Sequence, residues 1–99
     1  MCKCRVLHRL NPSFQSLLGM EEIVKLTDFS VVLSTSLPRS DDDEILNFLF
    51  AKTNNIDSSW AEYWGLQGSY RSTSVGDVIQ IEETYYQVKP IGFAKIQLN

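Results

Sequence analysis

The odd positions from Ile23 to Leu33 read Ile, Lys, Thr, Phe, Val and Leu, and this period of two predicts a strand near 23–34, firmest over 29–34. Ser34-Thr35-Ser36-Leu37-Pro38 breaks the alternation. Ser40, followed three residues later by Asp43, then resembles a capping arrangement with an acidic first turn. The main helix is expected over 41–54, where Ile45, Leu46, Phe48, Leu49 and Phe50 cover a broad apolar arc suited to packing on a sheet. Asp57, Ser58 and Ser59 offer caps for a short helix carrying Trp60, Tyr63 and Trp64, which Gly65 stops. A polar connector from Gln67 leads to a Val75-Gly76-Asp77 turn. Beyond it Val78–Ile81, Tyr85–Val88 and Phe93–Leu98 read as a three-stranded meander spanning 77–98, joined by Glu82-Glu83-Thr84 and by Pro90 with Gly92.

The first 19 residues fit this pattern less well. Asn11-Pro12 opens a short helical signal that Gly19 closes, and Met20 begins a new acidic pattern. Residues 1–19 are therefore expected to be an appendage, and 20–99 a single α+β domain. Its small, mostly antiparallel sheet would consist of the 23–34 strand at an edge of the meander, with the main helix on one face.

Composition is consistent with one packed domain: 43% of the 99 residues are hydrophobic and 21% charged, close to the globular average. The longest apolar stretches are far too short to span a bilayer, and no apolar run follows Lys3, Arg5 and Arg9 as a secretory signal would require, so a cytoplasmic location is expected. Of the net charge of −3, the middle is the source: residues 20–59 hold eight acidic and three basic side chains. That balance disfavours a general phosphate-binding surface. Cys2, Cys4 and His8 are the only residues of their types, and a closed zinc site needs a fourth ligand, so a frayed terminus with reduced thiols and no metal is expected.

Arg71-Ser-Thr-Ser-Val-Gly-Asp-Val-Ile, followed by Tyr85-Tyr86-x-Val88 and Gly92-Phe93, resembles the YodL-like and large polyvalent-protein-associated modules of phages, plasmids and bacteria. The resemblance covers residues 71–96 and implies a strand-turn arrangement more than an activity. It also implies a mobile-element setting, in which small accessory proteins bind host defence or replication machinery.

Two segments attract a functional reading. Arg71, Ser72, Ser74 and Asp77 place a guanidinium and hydroxyls together, as a phosphate or carboxylate site would; equally, Ser74 and Asp77 can bond local backbone while Arg71 pairs with an acid, and this second reading is preferred. Trp60, Tyr63, Trp64 and Tyr70 concentrate aromatic area, either as a contact surface or as the edge of a core. The acidic run Asp41–Glu44 compensates a helix dipole or mimics nucleic acid. No triad, nucleophile elbow or phosphate loop occurs, so no catalytic residue and no cofactor are expected. The leading expectation is a non-enzymatic protein-binding module with Trp60, Tyr63, Trp64, Tyr70, Arg71, Ser72, Ser74 and Asp77 as its contact surface. The alternatives are a small-ligand site beside Arg71, or single-stranded nucleic acid stacked on Tyr85, Tyr86 and Phe93 with Lys89 and Lys95 on phosphates.

Overall fold

The computed structural model describes residues 1–10, 25–54, 60–66 and 70–97, and of Glu62 only the backbone. The expected helix at 11–19, the residues that begin the 23–34 strand, and the caps at 57–59 lie outside the described residues. Among the described residues the chain is α+β, with one five-stranded antiparallel sheet and one main helix.

In chain order the elements are β1 (Cys2–Arg9), β2 (Phe29–Leu37), α1 (Asp42–Lys52), the single turn α2 (Trp60–Tyr63), β3 (Val78–Ile81), β4 (Thr84–Val88) and β5 (Phe93–Ile96). The sheet order is β2-β1-β3-β4-β5. The meander and the main helix lie where the residue pattern places them.

The N-terminal segment does not. Cys2–Arg9 is no appendage: β1 pairs with β2 on one side, from Cys2 opposite Leu37 to Arg9 opposite Phe29, and with β3 on the other, from Cys4 opposite Ile81 to Leu7 opposite Val78. The cause is an alternation at its own period of two. Cys2, Cys4 and Val6 are buried on the helix-bearing face while Lys3 and Arg5 are exposed on the other. The 23–34 strand accordingly joins β1 instead of the meander, and Leu26–Asp28 forms a 3-10 turn before it. β2 also runs past the expected break to Leu37, because the small polar residues Ser34 and Ser36 occupy the exposed positions of an edge strand.

α1 packs Ile45, Leu46 and Leu49 against Cys2, Cys4, Val6, Leu33, Ile79 and Ile81. Phe48 and Phe50 flank that stripe, so the buried arc is narrower than expected. Phe50 meets Phe93 edge to face at 6.1 Å, whereas Phe48 remains 39% exposed. Ser40 does not cap the helix; its hydroxyl donates to Glu44 at 2.5 Å, and the Tyr86 hydroxyl donates to Asp42 at 2.5 Å, tying the first turn to β4. On the second face Leu7, Phe29 and Val78 form a smaller buried cluster with Tyr85 and Ile96 against it.

Two turns hold the meander in register. Gly76 has φ 95°, as the third residue of a type II turn closed by the Asp77 N–H on the Ser74 carbonyl at 3.0 Å. In the β3–β4 hairpin the Glu82 N–H donates to the Lys3 carbonyl at 2.8 Å and the Glu82 carboxylate accepts the Lys3 N–H at 3.2 Å, so the hairpin is fastened to β1.

Because β1 supplies pairing to two neighbours and apolar area to both faces, deletion of residues 1–9 is expected to abolish the cooperative urea transition seen by circular dichroism. A retained transition with an unchanged midpoint would restore the appendage.

Candidate functional site

The segment 70–77 crosses one end of the sheet, and its geometry is set by Asp77. That side chain sits at the start of β3 and is 1% exposed. One carboxylate oxygen, Oδ1, accepts the Arg9 N–H at 2.8 Å and Arg71 Nη2 at 2.7 Å. The other, Oδ2, accepts Arg71 Nη1 at 2.6 Å and the Ser74 N–H at 2.9 Å. A buried charge with four donors is fully satisfied, and the bidentate Arg fork is the strong form of such pairing.

Arg71 has further partners: Nη1 reaches the Ser72 carbonyl at 3.1 Å and Ser74 Oγ at 3.4 Å, and Nη2 reaches the Arg9 carbonyl at 3.1 Å. The hydrogen bond to Asp77 holds its pKa above the ordinary arginine value. The structure thus brings Arg71, Ser72, Ser74 and Asp77 together, with the guanidinium engaged by protein oxygens.

The aromatic segment divides in two. Trp60 is 0% exposed: its indole donates to the Arg71 carbonyl at 3.0 Å, and its ring meets His8 at 6.0 Å and Tyr70 at 5.2 Å. Trp60 and Asp77 therefore cannot be contact-surface residues in this fold. The Trp fills the space between β1 and the irregular 70–74 segment, and half-buried Tyr70 lies on it. Tyr63, by contrast, is 58% exposed, with Lys52 Nζ 4.8 Å above its ring. It meets Trp64 edge to face at 5.1 Å, and Trp64 meets Phe48 at 6.3 Å. The Trp64 indole donates to the Lys52 carbonyl at 3.1 Å, satisfying a carbonyl at the end of α1. Phe48, Trp64 and Tyr63 thus form a continuous partly exposed aromatic row.

Sequence reasoning assigned Phe48 to the core. The available signal was its position at the rim of the arc defined by Ile45, Leu46 and Leu49. Phe48 also lines a groove of about 310 Å³ with Leu37, Pro38, Ser40, Glu44 and Ile45.

His8 was expected in a frayed end. Instead it is buried, its Nε2 sharing a 2.8 Å hydrogen bond with Thr73 Oγ1, and desolvation lowers its pKa to about 4 with Arg71 adding to the fall and Asp77 opposing it. Cys2 and Cys4 are buried side by side with their sulfurs 3.7 Å apart, and burial followed by the hydrogen bond to Cys2 pushes the Cys4 thiol up to about 12. Among the described residues no three His, Cys, Asp or Glu side chains are grouped to hold a metal ion.

The proposed stacking platform is not assembled. Tyr85 pairs with Ile96 on one face, whereas Tyr86 and Phe93 lie on the face that carries α1, so the three rings cannot receive one strand of bases.

No family model matches the chain, and no match is found among curated proteins or solved structures. Among the described residues no helix is long and apolar enough to cross a membrane.

Two outcomes follow from the buried polar groups. Asp77→Ala leaves the Arg9 and Ser74 amides without their acceptor and separates Arg71 from its partner, and is expected to cost about 3 kcal/mol of stability in urea titration. His8 titrates at 6.5 when unfolded but at about 4 when folded. Only the unfolded chain takes up the proton between those values, so stability is complete above pH 6.5 and declines as pH falls towards 4. The loss amounts to about 3 kcal/mol. His8→Gln should flatten this slope in urea midpoints measured across the same range.

Proposed function

We propose that the chain is a non-enzymatic protein-binding module. The observation that carries this reading is the apolar surface running from Leu37 and Pro38 through Phe48 to Trp64 and Tyr63, in which Phe48 and Tyr63 are exposed and the partly buried Leu37 and Trp64 join them to the core. Trp and Tyr are the residue types over-represented at binding hot spots, and here Trp64 and Lys52 hold Tyr63 in place before any partner arrives.

The polar groups support the same reading. Asp77, Arg71, His8 and Tyr86 are each held by partners within the fold, an arrangement suited to fixing a scaffold. The contact surface is accordingly drawn differently from the sequence expectation, with Tyr63 and Trp64 retained, Phe48 added, and Trp60, Tyr70, Arg71, Ser72, Ser74 and Asp77 left out. On the resemblance of residues 71–96 to modules carried by mobile elements, host machinery is the partner class.

The test is capture of binding proteins from a bacterial lysate by the full chain and by Phe48→Ala, Tyr63→Ala and Arg71→Lys variants of unchanged circular dichroism. Phe48→Ala and Tyr63→Ala are expected to weaken capture roughly tenfold or more, as loss of a hot spot does, while Arg71→Lys leaves it intact. Equal capture by all four proteins would refute the surface.

A further inference from the structure

The apolar groove does not stand alone. It adjoins β2, which among the described residues is an edge strand, nine residues long with no charged side chain and no proline. Edge strands in natural sheets are ordinarily protected by such residues, because half of their N–H and C=O groups point outwards and can template another strand. The register shift opposite Val6 and Leu7 is such a protective device, and it disturbs the first half of β2. From Leu33 to Leu37 the strand pairs regularly with Val6 to Cys2. This regular run ends at the groove.

The layout of the helix explains why a groove exists there. α1 approaches β3 most closely, on the far side of β1, and this leaves a trough between the helix and the outer strand. Leu37 and Pro38 form one wall, Ile45 and Phe48 the other, and Glu44 stands at the rim with Asp41 and Asp43 exposed in the adjoining turn, where the exposed Arg39 is 4.0 Å from Asp42 and leaves Glu44 as the rim carboxylate that a cation can meet.

We propose that Leu33–Leu37 accepts an extended segment of a partner protein as a sixth strand, with an apolar side chain of that segment in the groove and a lysine or arginine beside Glu44. The division of labour is that of strand addition in general: main-chain hydrogen bonds supply affinity, and a pocket for alternate side chains supplies specificity. The acidic rim selects the cation. A second copy of this chain fits less well, since antiparallel pairing over Leu33–Leu37 would set its Ser30–Val32 against the groove, and these residues carry no positive charge.

This inference rests on the reading of the chain as a protein-binding module, and its test separates the two. The full chain is panned against a displayed library of random ten-residue peptides, and the best enriched peptide is synthesised with its backbone amides N-methylated at odd or at even positions. The enriched peptides are expected to combine an apolar residue with a nearby lysine or arginine, and to shift the amide resonances of residues 33–37 and of Phe48.

One of the two N-methylated sets should lose affinity roughly tenfold or more while the other binds unchanged, since only alternate amides face the receiving strand. Glu44→Lys should weaken the unmodified peptide, and Tyr63→Ala should not. Failure to enrich any peptide, indifference to both methylated sets, or resonance shifts away from β2 would each overturn strand addition. So would self-association of the chain through β2 in sedimentation equilibrium. If lysate capture stays sensitive to Phe48 and Tyr63 when strand addition has failed, the contact surface survives without it. If peptides bind β2 but capture is insensitive, the aromatic row is the part that falls.

Discussion

A carboxylate as deeply buried as that of Asp77 persists in charged form only where donors fill its lone pairs, and here they come from three parts of the chain. Arg9 supplies an amide from the end of β1, Ser74 an amide from the preceding turn, and Arg71 a guanidinium from the segment that crosses the sheet. Remove the charge and each of these loses its reason to be where it is. The position of Trp60 depends on the same arrangement, because its indole donates to the carbonyl of Arg71. The serine-rich lead-in, whose residues allow a ligand site or local bonding, forms a clasp between β1 and β3 in this fold.

Local chemistry made the C-terminal half readable. Gly76 and Gly92 have positive φ, at turns where the residue pattern already places glycine between alternating segments, and the β3–β5 meander follows. α1 was readable from its apolar arc, although the arc does not disclose that Phe48 stands outside the core. β1 was not recognised for a physical reason. Its alternation is carried by cysteines, which invite chemical interpretation, and it fails at Leu7-His8, where a residue on each face is buried in succession. The exposed Lys3 and Arg5 completed the impression of a solvated end. Pairing with strands distant in sequence is a tertiary effect that the local pattern cannot encode.

The aromatic segment shows the same limit at finer grain. Trp60 and Trp64 lie four residues apart and one turn of helix separates them, yet one is wholly enclosed and the other carries an exposed row. What distinguishes them is the neighbour each finds: β1 and Tyr70 close over the first, whereas Phe48, Tyr63 and the end of α1 meet the second at the margin of the core. The exposed row and the trough beside β2 share Phe48, so that one side chain links the helix surface to the sheet edge.

The central place of β1 also bears on synthesis. As the chain leaves the ribosome, Cys2–Arg9 emerges well before β3, the strand against which it must finally lie. β2 can pair with it early, but that two-stranded ribbon has no helix to cover it until α1 follows, and its inner edge stays open until Val78–Ile81 arrives. Closure of the sheet is therefore a late, long-range event, and a nascent chain of this kind has the most to gain from a chaperone that shields β1 during the interval.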